Sequence, residues 1–400
     1  MVKIERRRDQ FTAVLSNLVL FVGVFVFRWD PHLILFFYWF EVGIVVIREV
    51  IQSLFAELPP SEEYRPSGSK ATFPLKELAD VRGSLQLTRL LPPIYPRNVP
   101  YALMTVIQLI AFWPFGGLVL TGIATSFVEP LVLPSSAALG ILAIVGHQLI
   151  QLVSWFRSSN YKTVAATGGI SKTYLALLFL LAFIAPVIIG AVQTVGVAQV
   201  GLSLILIGSK VVYDILEFRK PRFVQSTMFI DETVGEEPTV KIPDGKTVAE
   251  FHTDWRAALI VSLFRGILFS FVMPTVLVVL VGGLIGGIVS GTLSGAIAGA
   301  ATIIAIRTFF QIFVGWITIK PIVYRVYPDA VVVYNRLTGE AQVIISREEI
   351  EYVALSDSLI TSILPDWFRS VRLEQDDGEK RHIAYISEAD SLVQLLDTSS

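Results

Sequence analysis

Apolar residues gather in eight long stretches along the chain: near Phe11–Phe27, Leu33–Leu54, Val99–Thr121, Ala137–Phe156, Tyr174–Val192, Gln199–Phe218, Leu259–Val281 and Leu284–Ile306. A helix crosses roughly 30 Å of hydrocarbon with about 20 apolar residues. The pattern therefore predicts a polytopic all-α membrane domain of about eight transmembrane helices. After Lys320-Pro321 the period shortens to two, which predicts strands at Ile322–Tyr327, Ala330–Tyr334, Ala341–Ser346, Ile350–Leu355, Ser370–Glu374 and Arg381–Ile386. Asn335–Gly339 and Asp376-Asp377-Gly378 supply reversals. Ser387-Glu388-Ala389-Asp390 then reads as a capping box for a closing helix that buries Leu392, Val393, Leu395 and Leu396. The expected order is a six-helix membrane domain at 1–220, a turn-rich cytoplasmic loop at 221–254, a two-helix membrane unit at 255–320 and a β domain at 321–400.

Charge gives the expected orientation. With the N-terminus inside, the connections assigned to the cytoplasm carry 18 Lys and Arg and the opposite ones carry Arg28 alone. That asymmetry predicts a multi-pass protein of the cell membrane with both termini cytoplasmic. The first stretch follows Lys3, Arg6, Arg7 and Arg8 and lacks a small-residue cleavage site, so it reads as retained. The first long connection, 55–98, spaces Leu75, Leu78, Val81 and Leu85 as a short amphipathic helix on the membrane surface or as a plain tether.

The composition is 53% hydrophobic and 16% charged, with no cysteine. Disulfides, thiolate metal sites and a cysteine nucleophile are thereby excluded. Residues 321–400 carry fourteen Asp and Glu against seven Lys and Arg. This acidic, Lys-poor composition suits an archaeal protein of a salt-loving host, and it argues against nucleic acid and anionic lipid headgroups as partners of that domain.

Gly283, Gly287, Gly291, Gly295 and Gly299 recur every fourth residue and, on one continuous helix, line one face. They read as a packing seam, against a neighbouring helix or between subunits of a homo-oligomer. Arg265 and Arg307 sit near the ends of their spans, where they snorkel to water.

Charges deeper in the spans are the better candidates for function. At about 1.5 Å rise per residue, Glu41, His147 and Lys210 lie roughly 12–17 Å below the outer surface, and Arg48 and Asp214 roughly 22–24 Å. Unpaired ions in hydrocarbon cost several kcal/mol, so these should face inward and pair. Lys210 stands in i, i+4 register with Asp214 and across from Glu41, with His147 as a proton acceptor and Gln108, Gln148 and Gln151 completing a polar network. Such a cluster is a proton- or ion-responsive site, the polar floor of a substrate cavity, or a set of ion pairs and hydrogen bonds that fix which helices touch. No nucleophile elbow, no His-Glu-x-x-His pair and no histidine cluster occurs, so no catalytic residue, metal or cofactor is assigned.

The connection 356–368 exposes Leu359, Ile360, Ile363, Leu364, Trp367 and Phe368 outside any predicted strand. It seals the end of the β domain, dips into the bilayer or packs on the membrane part, sealing being the simplest. Residues 321–397, on Tyr324-Arg325-Val326-Tyr327, Ile345–Val353 and Ile383–Leu396, resemble the bacterial pleckstrin-homology-like (PH-like) domain. That resemblance implies a β fold closed by a helix and a habit of docking protein partners, with no catalytic residues. The first 220 residues resemble domain-of-unknown-function family 6498 on Tyr38, Trp39 and Glu41, on His147 with Ser154 and Asn160, and on Lys210-x-x-x-Asp214. Members of that family carry a His-Tyr-Gly run in the third span, where this chain has Gln108-Leu109-Ile110-Ala111-Phe112-Trp113. The resemblance implies no activity. The expected function is a non-catalytic membrane scaffold or regulator whose PH-like domain engages a protein partner, and the alternative is a proton- or ion-coupled transporter built on the buried charges.

Overall fold

The computed structural model describes residues 17–59, 78–120, 133–166, 201–211 (except 202 and 209), 240–271, 275–355, 369–375, 380–383, 386 and 388–397. The chain divides into two compact units, Met1–Arg65 with Asn98–Glu236, and Pro66–Arg97 with Glu237–Ser400.

The eight-span layout is not what the fold supports. Among the described residues two helices are long and apolar enough to cross a membrane, Ala137–Arg157 and Leu293–Thr318. The remaining apolar runs divide differently. Of the first, residues 17–26 are described and are helical, α1 (Asn17–Val26), and residues 11–16 lie outside the described residues. The second is α2 (Pro31–Phe55), which carries Glu41, Arg48 and Glu49 and buries Ile34, Phe37 and Val46 as the core helix of its unit. The seventh holds α6 (Trp255–Leu268), a 3₁₀ turn at Phe269–Phe271 and the start of α7 (Thr275–Ser290). Hydropathy alone reads a buried core helix and a lipid-facing one alike. The fifth run, Tyr174–Val192, lies outside the described residues, as do Asp214, the loop 356–368 and the reversal at 376–378.

Unit 1 packs α1, α2, α3 (Val99–Leu120), α4 (Ala137–Arg157) and the helical residues of 201–211, α5, around one apolar core. The α1–α2 corner follows from its residues. Arg28 takes a left-handed φ of 56°, Asp30 caps α2 by accepting from the Leu33 N–H at 2.8 Å, and Pro31 occupies the first turn. Trp29 folds back over Gly23 and donates its indole N–H to Ser136 Oγ at 2.9 Å. Ala137, Ile144 and Ile207 bury into the same cluster as Leu33 and Val42, so α4 and α5 share the core of α2.

Unit 2 is a β module with a helical insert. Among the described residues seven strands form two antiparallel sheets: β1 (Ala249–His252), β2 (Ile322–Val326), β3 (Ala330–Asn335) and β4 (Glu340–Ser346) in one, and β5 (Ile350–Leu355), β6 (Val371–Gln375) and β7 (Lys380–Ile383) in the other. Val326, Val331, Val371, Leu373 and Ile386 fill the space between them, and α9 (Ala389–Asp397) closes it with Leu392 and Leu396. β1 lies within the stretch read from sequence as a loop. It pairs with β2 in the register Ala249↔Val326 to His252↔Val323, so α6, α7 and α8 (Leu293–Thr318) are inserted between two neighbouring strands. Thr253 extends the ladder, its N–H and hydroxyl both directed at the Ile322 carbonyl, at 3.4 and 3.2 Å.

The glycine seam is also corrected. Gly291 has φ 66°, a backbone state glycine adopts at little cost, and the chain reverses there between α7 and α8. The seam therefore runs between two antiparallel helices rather than along one. A Cβ on Gly286 lies 2.3 Å from the Gly295 carbonyl oxygen, and one on Gly299 lies 2.3 Å from that of Gly282. Gly283 and Gly287 stand beside this contact against Ala296 and Ala300, on the floor of an open apolar groove of 720 Å³. The close approach continues below, with Gly266 against Thr308 and Gly315 against Ser262.

Candidate functional site

Among the described residues Glu41, Arg48 and Lys210 lie at the contacts of α2 with α4 and α5. Glu41 and Arg48 stand seven residues apart on α2, about two turns, so they share a side of the helix. Glu41 Oε1 lies 3.2 Å from Lys210 Nζ of α5, both side chains largely removed from solvent. About two turns further along α2, Arg48 Nη1 donates to Gln148 Oε1 at 2.7 Å and also to Gln151 Oε1, both on α4. His147, Gln148 and Gln151 occupy adjacent positions on that helix face, and His147 and Gln148 are buried.

The bond directions carry chemistry. The guanidinium occupies the Gln151 oxygen, so the Gln151 amide nitrogen is the group turned to His147 Nε2, 2.9 Å away. It donates, His147 Nε2 accepts, and the imidazole proton is left on Nδ1. Arg48, Gln151 and His147 thus form a directional chain of donors across the α2–α4 contact, in which reversing the Gln151 amide is disfavoured by Arg48. Gln108 of α3 also makes a polar interaction.

A second device fixes α2 to α3. Trp39 Nε1 donates to the Trp113 carbonyl at 2.9 Å and Trp113 Nε1 to the Trp39 carbonyl at 3.1 Å, and the two rings stack at 4.3 Å with 6° between planes. Each indole lies over the glycine four residues beyond its partner, Gly43 and Gly117. The signal for this in the sequence is the spacing Trp-x-x-x-Gly at 39–43 and again at 113–117. It is a two-residue pattern that carries meaning only once the two helices are known to cross there.

A family model, described as a family of unknown function (DUF6498), matches residues 3–228. The chain belongs to DUF6498. The matched region contains Trp39, Glu41, Arg48, Trp113, His147 and Lys210, so both devices lie in the DUF6498 part. No curated protein and no solved structure matches the chain.

Among the described residues no group of three or more His, Asp and Glu comes together as a metal site. Among the described residues the site comprises the Glu41–Lys210 ion pair between α2 and α5, the Arg48 guanidinium shared by two α4 amides, and His147 bonded to one of those amides within α4.

Proposed function

We propose that the protein is a non-catalytic membrane scaffold or regulator, in which unit 2 is a PH-like module that engages a protein partner while its own helical insert ties it to the bilayer. The observation that carries this reading is the position of α6–α8 between β1 and β2. Only 6% of the most apolar stretch of α8 is buried, and Ile297, Ile306, Phe309 and Phe313 face outward. Residues 266–306 contain no charged side chain. Trp255 and Trp316 are exposed at the neck, Arg256 lies near the face of the Trp255 ring, and Lys320 Nζ sits 3.3 Å from the Trp316 ring centroid. Aromatic and basic residues at one end of an apolar hairpin are the pattern of a membrane–water interface on the cytoplasmic side. Trp316 lies about 36 Å along the helix from the turn at Thr292, enough to span. A four-plus-three strand arrangement with a closing helix supports the PH-like reading of the module.

The partner hypothesis is tested by proximity labelling from the C-terminus in the native host. The full chain is compared with a variant in which residues 255–318 are replaced by a short Gly-Ser turn joining β1 to β2. A partner set common to both, with membrane neighbours lost from the second, supports the reading. Background labelling by both proteins excludes it.

The Glu41–Lys210 pair and the buried His147 favour a second reading, a proton- or ion-coupled transporter, because ionisable residues inside a membrane domain mark ion pathways and proton relays. Proteoliposome flux separates the two: transport abolished by Glu41→Gln and by His147→Gln at unchanged stability selects the transporter.

A further inference from the structure

We infer that the hairpin formed by residues 85–94 is a lipid-inserting finger, a second contact of unit 2 with the bilayer; this rests on the reading of α8 as membrane-embedded. The hairpin is built as a rigid object. Leu85 and Ile94 exchange both backbone hydrogen bonds, at 2.7 and 2.9 Å, and within the loop the Gln86 side-chain amide donates to the carbonyls of Thr88 and, at 2.7 Å, Leu91. Thr88 Oγ1 accepts from the Leu91 N–H at 3.3 Å. These bonds turn Leu87, Leu90 and Leu91 outward, and Leu90 is 95% exposed. A braced loop that displays three leucines to water is a surface awaiting an apolar neighbour.

Its root lies beside the neck. Gln342 of β4 holds Arg82 through both backbone groups, its Oε1 accepting from the N–H at 2.8 Å and its Nε2 donating to the carbonyl at 3.2 Å. Gly83, with φ 86°, fits against Thr338 and Glu340 of the β3–β4 turn. That same turn holds the end of α8: Asn335 Nδ2 donates to the Ile317 carbonyl at 3.3 Å and the Arg336 N–H to the Pro321 carbonyl at 2.9 Å. The finger thus springs from the turn that grips α8 next to Trp316 and Lys320. Its strands extend about 10 Å from Leu85 to the tip, the depth of the headgroup and upper acyl region.

The chemistry of the tip favours lipid over protein. Its apolar groups are aliphatic, it lacks the Tyr and Trp that anchor protein interfaces, and Arg89 is the one charge between Leu85 and Ile94, placed to meet a phosphate. Of the surface helix or tether read from sequence here, Leu75 lies outside the described residues, and Leu78 and Val81 are buried rather than presented to a membrane surface.

The chain has no cysteine, so single-cysteine variants take an environment-sensitive fluorophore cleanly. Full-length Leu90→Cys, Thr88→Cys, Ile306→Cys and Lys246→Cys are labelled and reconstituted in phosphatidylcholine vesicles with and without doxyl-labelled phosphatidylcholines that carry the label at shallow and at deep acyl positions. The expected result is blue-shifted emission and at least twofold quenching by the doxyl lipid at positions 88 or 90 and at 306, with position 246 water-like and unquenched. Quenching at 306 with none at 88 and 90 overturns the finger and leaves the embedded α8 standing. No quenching at 306 overturns both. Positions 88 and 90 shielded from aqueous iodide yet untouched by the doxyl lipid mean a protein neighbour and also overturn the finger.

Discussion

Trp39 and Trp113 each serve as donor and acceptor to the other, two indoles clasped between α2 and α3 with a glycine behind each ring. The close approach of the helices depends on those glycines. A Cβ at position 43 stands 2.5 Å from the Trp113 ring, which is pinned by its own hydrogen bond and by stacking, so the ring cannot swing aside freely. Gly43→Ala is expected to destabilise unit 1 by about 1–3 kcal/mol through overpacking. In a Trp113→Leu background the same substitution costs less, because the obstructing ring is gone. Additive losses in a thermal-unfolding double-mutant cycle contradict the clasp.

Arg48 of α2 donates to both α4 glutamines and reaches His147 through Gln151. Arg48→Met retains the bulk of the chain but removes the donor to two amide oxygens. The expected loss is about 1–3 kcal/mol, and the His147 imidazole signals broaden or split in nitrogen NMR as the Gln151 amide becomes free to turn. An unchanged histidine spectrum argues that the relay does not order the ring.

Glu41→Lys should destabilise unit 1 by setting two ammonium groups face to face, and Lys210→Glu added to it should recover most of the loss by restoring an inverted pair. A double variant no more stable than Glu41→Lys alone places the role of these residues outside their mutual bond.

What the sequence made legible follows from which interactions are local. The β2–β7 strands are visible as alternation broken by turn residues, because side-chain period and turn chemistry act within a few positions. β1 is not, since Ala249–His252 is four residues long and its partner lies some seventy positions on, beyond the whole insert. The seam glycines are visible as a repeat. Their assignment to one helix fails because the repeat continues through Gly291, where positive φ reverses the chain without breaking the spacing. The count of membrane helices fails at α2, whose apolar residues are spent on a protein core that hydropathy does not distinguish from lipid. The rise along helices placed Glu41 and Lys210 at one level, but no counting rule says that Arg48 is met by glutamines rather than by a carboxylate.

Acid should loosen the β1–β2 clamp. Glu250 and Arg325 are directly opposed in the ladder, and their 2.7 Å bond, opposed by slight burial, draws the Glu250 carboxyl below its ordinary value and raises the Arg325 guanidinium. A lowered carboxyl stabilises the fold above the unfolded-state value of about 4.3 and loses that contribution as pH falls through the lowered folded-state value. The pair is half exposed, so the effect is below about 1 kcal/mol. Hydrogen exchange at the Phe251 and Val248 amides should accelerate below pH 4 relative to β3, and Glu250→Gln should remove that difference.

The two glycine registers of the α7–α8 hairpin should differ in their tolerance of a methyl group. Gly299 meets the Gly282 carbonyl at 2.3 Å from its ideal Cβ, a backbone atom that moves only if the helices part, whereas Gly287 meets the Ala296 Cβ at 3.2 Å, where a few tenths of an ångström suffice. Helix pairs in lipid are held by such close packing because the hydrophobic effect gives them no drive to associate. Gly299→Ala should therefore separate the hairpin and lower the thermal midpoint of the reconstituted protein by several degrees, while Gly287→Ala changes it little. Crosslinking between cysteines at positions 283 and 300 reports the same event directly, falling in the Gly299→Ala background and persisting in Gly287→Ala. Equal sensitivity at both positions places the contact in the groove rather than along the Gly282–Gly299 line.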